Sequence, residues 1–153
     1  MADPKPLRLT ARDKEDLTVI SACLQDAVTR GSEISYQPKK NRFAAVFNRF
    51  RWEDQFDRDR AKPPAERVRS GMHFDSVLSV QSRGVGRGAG DILQLLAVEA
   101  EEREEGTAEI QLEFAGGGSI RLEVECIDCY LSDLGAPWQA RRTPEHSSQD
   151  GDP

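Results

Sequence analysis

The sequence predicts an α+β fold, an antiparallel curved sheet or partly closed barrel of about seven strands with one N-terminal amphipathic helix. Three observations predict it. Apolar and polar residues alternate over 108–126 on both sides of Gly116, Gly117 and Gly118. A single helical periodicity stands near the N-terminus, at Leu17, Ile20, Leu24, Ala27 and Val28. Short strand-like segments, each bounded by turn residues, fill most of the remaining chain.

The elements follow in chain order. Leu7, Leu9 and Ala11 alternate with Arg8 and Thr10, which predicts a short first strand. Asp13 is placed as an N-cap, with Glu15 and Asp16 in the first turn, where negative charge suits the helix dipole. The helix carries Cys23 beside its apolar stripe and is expected to end between Gln25 and Arg30, before Gly31. Residues 33–37 alternate, 38–41 are turn chemistry, and 42–52 return as a strand. Along that return Phe43 and Phe47 share one parity, whereas Val46, Phe50 and Trp52 share the other. Such a strand is covered on both sides or carries a bulge.

Residues 53–70 are charged and include Pro63 and Pro64, so they read as an exposed loop. Strand patterns resume at 71–75 and 77–82, with a bend near Asp75, and 84–90 is a glycine-rich connector. The apolar run 92–100 has the length of a buried strand, although a helix stays open there, and 101–106 is a polar turn. In the hairpin, Ile110, Leu112, Phe114, Ile120, Leu122, Val124 and Cys126 form one face. Glu109, Gln111, Glu113, Arg121, Glu123 and Glu125 form the other, wet face. After Cys126 the apolar parity flips to Ile127, Cys129 and Leu131, as at a bulge or a helical end. A pleckstrin-like roll is a looser alternative architecture, since it carries its helix at the opposite end.

At 153 residues the chain suits one domain, placed at 7–134 between an N-terminal tail of 1–6 and a disordered C-terminal tail of 135–153. Three cysteines argue against a disulfide framework and for a reducing compartment. With no signal-peptide pattern and no apolar run long enough to span a bilayer, the expectation is a cytoplasmic protein with no membrane partner. The formal charge of −6 is uneven, at +5 over residues 1–90 and −10 over 91–133. Segregated on the surface, such charge would orient partners.

Each chemical motif has a plainer explanation. Cys126 and Cys129 have the spacing of a dithiol or half of a zinc site, but Glu125 and Asp128 would raise a thiol pKa there. A tetrahedral zinc site would need two more ligands, with only Cys23, His73 and His146 left to give them. The glycines of 84–90 follow neither the P-loop nor the dinucleotide spacing, although Arg83 and Arg87 beside free backbone N–H groups could hold an anion. His73 stands at the polar parity of a strand, as surface histidines do, and Asp75 is too near in sequence to orient it across the ring. No catalytic residue, metal site or cofactor is assigned.

The basic stretch 39–87 holds 12 Lys/Arg against 6 acids, interleaved with Tyr36, Phe43, Phe47, Phe50 and Trp52 near it or within it. Arginines among exposed aromatics bind single-stranded nucleic acid by phosphate pairing and base stacking. The candidate binding residues are therefore Arg49, Arg51, Arg83 and Arg87.

Three segments carry a resemblance to a known family: residues 37–50, 73–83 and 114–126, which include Gln37-Pro38-Lys39-Lys40-Asn41-Arg42-Phe43 and Gly116-Gly117-Gly118-Ser119-Ile120-Arg121-Leu122. They resemble an uncharacterised alphaproteobacterial family, a domain of unknown function, from Leu7 to about Glu145. The resemblance implies a bacterial cytoplasmic protein and supplies no activity, cofactor or catalytic residue. The function therefore stays unknown, with three readings. First is a non-enzymatic binding or regulatory module acting on an unidentified protein partner. Second is nucleic-acid binding through 39–87, and third an enzyme with a site near His73.

Overall fold

The computed structural model describes residues 5–55 and 66–139. Strand β1 spans Arg8–Ala11 and helix α1 spans Lys14–Cys23. The Asp13 carboxylate accepts the Asp16 N–H at 2.8 Å, and Asp16 returns the favour by accepting the Arg12 N–H at 3.1 Å. The first contact satisfies an amide that the first helical turn leaves without a partner, and the second ties down the residue just before the cap. The helix stops at Cys23, earlier than expected, because the chain beyond it is claimed by the sheet. The Asp26 N–H donates to the Leu95 carbonyl at 2.9 Å, and the Ala27 carbonyl accepts the Leu95 N–H at 2.8 Å. Val28 accordingly opens strand β2, Val28–Arg30, instead of closing the helix.

Strand β3, Ile34–Gln37, and strand β4, Arg42–Phe50, form the expected hairpin, turned through Asn41 at φ 50°. Strand β5 spans Glu66–Phe74, so residues 66–70, expected in a loop, are sheet. Their charges misled the reading: Arg67 and Arg69 lie at the outward parity while Val68 and Ser70 are buried. Pro63, Pro64 and the rest of 56–65 lie outside the described residues. Strand β6, Val77–Arg83, follows the expected bend, where Ser76 has φ 61°.

Strand β7, Ile92–Glu102, settles the open choice at 92–100 in favour of strand. It is not a buried one. A bulge lies between Leu95 and Ala97, and Ile92 and Leu96 remain 55% and 47% exposed. Strands β8, Ala108–Phe114, and β9, Ser119–Val124, are the predicted hairpin, turned through Gly116 and Gly117 at φ 88° and 96°. Those angles favour glycine, which has no Cβ to clash. Strand β10, Cys129–Asp133, explains the parity flip after Cys126: the chain leaves one half of the sheet and enters the other. Strand β11, Trp138–Gln139, pairs with β5 beyond the boundary expected at Leu134. Residues 140–153, with His146, lie outside the described residues.

All described pairings are antiparallel. Among the described residues the sheet has eleven strands in the path β1-β10-β5-β4-β2-β7-β8-β9-β6, with β3 added on β4 and β11 on β5. It does not close into a barrel. Near the gap, the Tyr36 hydroxyl donates to the Leu78 carbonyl at 3.3 Å, a side-chain contact between β3 and β6 in place of a backbone ladder. The strands missing from the expected seven include two short ones, β2 and β11, with too few residues to show alternation.

One apolar core fills the interior. It takes Ile110, Leu112, Leu122 and Val124 from the hairpin, Phe43, Phe47, Met72, Phe74 and Leu131 from the other half, and Leu17 and Ile20 from α1. Strand β4 is covered on both sides at its end and has no bulge against β5. Phe50, on the parity opposite Phe47, lies under the Arg67 guanidinium at 4.2 Å and beside Trp52, ring centroids 5.7 Å apart.

Candidate functional site

Of the four arginines expected to bind a partner, two are internal. The Arg49 side chain is 0% exposed, and Arg51 is also buried. Arg49 shares its parity on β4 with Phe43 and Phe47, so the strand turns it inwards. Its guanidinium meets both carboxylate oxygens of Glu53 at 2.9 and 2.8 Å and those of Asp133 at 3.0 and 3.2 Å. The Phe50 carbonyl accepts from Nη1 at 3.0 Å and the Ser70 hydroxyl from Nε at 3.0 Å. Ser70 then donates to Asp133 at 2.7 Å, and the Leu7 N–H donates to the other Asp133 oxygen at 2.8 Å.

This cluster ties β4, β5 and β10 to the start of the chain. Burial works against the charge of Glu53, but the hydrogen bonds from Arg49 prevail and hold its carboxyl below the usual range. Burial likewise opposes the charge on Arg49, and the facing carboxylates prevail there too. Arg51 pairs with Glu66 at 3.1 Å. A charge so enclosed meets no surface partner, and its chemistry is that of a structural ion-pair network.

Arg83 and Arg87 are exposed, at the end of β6 and in the connector after it. One backbone N–H of that connector is already used. Asp91 accepts the Gly88 N–H at 2.8 Å, so the chain supplies its own carboxylate. The connector is also locked in place: a Cβ on Gly31 would stand 2.0 Å from the Gly86 carbonyl oxygen, and the Ser32 N–H donates to the Gly88 carbonyl at 3.2 Å. The structure does not bring Arg83 and Arg87 together with Arg49 in one site, because the latter is enclosed.

His73 lies at the outward parity of β5, stacked on Tyr130 of β10 with ring centroids 4.7 Å apart. Its Nε2 is 3.6 Å from Asp75, which Arg42 holds at 2.8 Å. Burial, then the Arg42 charge, lowers its pKa against the opposing pull of Asp75 and Asp128, so the neutral imidazole is favoured. Cys129 is fully buried, and burial with the Asp128 charge raises its thiol pKa, which makes it unreactive. Cys126 is exposed and Cys23 intermediate. Among the described residues no group of three or more His, Cys, Asp or Glu is placed to hold a metal ion.

The remaining feature is one that sequence reasoning missed. A groove of about 400 Å3 runs where α1 meets β7 and β8. Lys14, Leu17 and Thr18 line it from the helix, and Val98 to Glu101, Glu109 and Gln111 from the strands. Glu109 is held by Arg103 and Arg121, at 2.5 and 3.0 Å, whereas Glu99 and Glu101 are exposed and make no ion pair among the described residues. The acids were visible in the sequence, but the approach of helix to strand was not.

A model of the family described as "Protein of unknown function (DUF2948)" matches residues 7–146. The chain belongs to this family. The match spans both halves of the sheet and α1, so the fold described above is that of the family domain in this chain. No curated protein and no solved structure matches the chain. Membership assigns no activity, so the function of the domain is unknown. No helix among the described residues is long and apolar enough to cross a membrane.

Proposed function

We propose that the protein is a non-enzymatic binding module that acts through a protein surface, and that its working side is the outer side of β7, β8 and β9. The observation that carries this reading is where the charges go. Arg49 and Arg51, the centre of the basic stretch, are consumed inside the molecule. Glu99, Glu101, Glu102, Glu104 and Glu105 stay exposed on or just beyond β7. Arg103 and Arg121 stand among the acids there but are outnumbered, and a surface with one sign in excess orients an approaching partner of the other and raises its rate of encounter.

Site-specific photo-crosslinking in the native cell tests the proposal. A photoreactive residue replacing Glu101 should trap a discrete protein partner, and one replacing Thr10 on β1 should not. Trapping from Thr10 alone, or from neither position, would overturn it. Turnover that depends on His73 would replace it with the enzymatic reading. The nucleic-acid reading keeps only Arg83 and Arg87 of its four residues. It would gain support from affinity for single-stranded RNA or DNA that falls with salt and with Arg83→Ala and Arg87→Ala.

A further inference from the structure

We propose that Arg67 and the aromatic residues around it form a docking site for an acidic segment of a partner protein, in which a carboxylate meets the Arg67 guanidinium and a neighbouring apolar side chain covers Trp138. The site goes beyond the acidic outer side of β7–β9. It lies on the other half of the sheet and takes a segment of the opposite sign.

Strand register builds the site. Phe50 of β4 and Trp138 of β11 both stand directly opposite Arg67 of β5, one on each side of it. Directly opposed residues of antiparallel strands point to one face, so the three form a row on the outer side. Phe50 is fully buried, with the Arg67 guanidinium 4.2 Å from its ring centre and Trp52 edge-on beside it. Trp52 is fixed in turn, its Nε1 donating to the Gln25 carbonyl at 2.9 Å. Trp138, by contrast, is 41% exposed. Leu134, 53% exposed, lies over the same face, its Cδ1 3.4 Å from where a Cβ on Gly71 would stand. Arg67 and Gly71 are four residues apart on β5, about 13 Å, so the two accessible apolar groups suit an extended segment laid along the strand.

The charge selects the occupant. Arg42 and Arg69, on the same face, are held by Asp75 and Glu33. The Arg67 guanidinium is half-buried yet makes no hydrogen bond and no ion pair among the described residues. Burial lowers its pKa, and the Asp26 charge offsets only part of that. A cation taken from water needs a partner, and the face of Phe50 supplies less than a carboxylate would. The guanidinium fork matches a carboxylate in shape as well as charge. Asp26, Glu33 and Glu66 stand near enough to repel a polyanion, which disfavours nucleic acid here.

The chain has two tryptophans, both in this site, so indole fluorescence reads it directly. An extended peptide of alternating glutamate and leucine, titrated into the full chain at physiological salt, should shift the emission saturably. Trp138→Phe should remove most of that shift. Arg67→Met keeps an apolar stem over Phe50 and should weaken binding about tenfold, the scale of a hydrogen bond to a charged group. It should also leave the urea midpoint unchanged or higher, since no ion pair is broken. Arg83→Met with Arg87→Met removes twice the charge at exposed positions and should leave affinity within about twofold. The same peptide with glutamine for glutamate, and a single-stranded oligonucleotide, should each bind about tenfold more weakly. No saturable shift, equal loss in Arg67→Met and the double variant, or an oligonucleotide bound as tightly as the peptide would each overturn the assignment. A urea midpoint clearly lowered by Arg67→Met would also overturn it, by showing that Arg67 serves the fold. None of these results bears on crosslinking from Glu101, so this site and the acidic side can fail separately.

Discussion

The two halves of the sheet obey the same strand alternation and use it differently. In β7–β9 the inward positions are apolar without exception along the hairpin, and the acids face out. In β1, β10, β5 and β4 the inward row runs from Phe43 and Phe47 into Arg49, and from Leu131 into Asp133. One half puts its charge on the surface, where it can meet a partner. The other encloses it, where it fixes the geometry of three strands and the chain start. The same residue type therefore means opposite things in the two halves, and parity along the strand decides which.

Breaking the internal pair tests this contrast hardest. Asp133→Ala would leave Arg49 buried with half of its carboxylate partners gone, and should cost about 3–5 kcal/mol of stability in urea unfolding. Arg49→Met with Glu53→Gln and Asp133→Leu should recover much of that loss, because no buried charge is then left without its partner. If Asp133→Ala changed stability by less than about 1 kcal/mol, the network would not be the clamp described.

The apolar half should respond to volume instead. Leu112→Ala deletes a side chain that is 0% exposed and should cost about 2–5 kcal/mol, with the larger value if the cavity stays open. A loss under 1 kcal/mol would mean that the hairpin is less tightly packed against the other half than its burial indicates. On the outer side, Arg103→Ala removes the cation between Glu109 and Glu123 and should lower stability only slightly. Added salt should restore that loss by screening the glutamates, as it cannot for Asp133→Ala.

The contrast also explains what could be read in advance. The hairpin was legible from Ala108 to Val124 because its alternation is strict and its turn is glycine, whereas Cys126, expected on its apolar face, lies beyond β9 and is exposed. The Asp13 cap was legible because it acts on the neighbouring turn. The enclosure of Arg49 is hidden from local sequence because one of its carboxylate partners, Asp133, lies 84 residues away, although the other, Glu53, is only four residues on. The clue was nevertheless present, since Arg49 continues the parity of Phe43 and Phe47. Residues 66–70 resemble a loop in sequence for the related reason that Arg67 and Arg69, at the outward parity, flank the one buried apolar residue, Val68. The groove depended on how α1 crosses β7, a tertiary fact. Its acids were countable, but their grouping around Leu17 and Val98 was not.

The smallest expected effect falls on the outside of the charge-enclosing half, at His73. Burial and the Arg42 charge depress its pKa below 6.5, so the folded state binds its proton less readily than the unfolded chain does. The unfolded state then holds more protons as pH falls through 6.5. Stability contributed by the neutral ring is complete above that value, declines below it, and levels off once pH passes the lower, folded pKa. His73→Gln should flatten this part of the pH–stability curve while leaving stability at pH 8 little changed. An NMR titration of the His73 ring reports the same quantity directly. A midpoint above 6.5 would reverse the sign, and would mean that Asp75, 3.6 Å away, outweighs burial and Arg42. The outer faces of the two halves would then both be governed by their carboxylates, and the contrast between them would be confined to the interior.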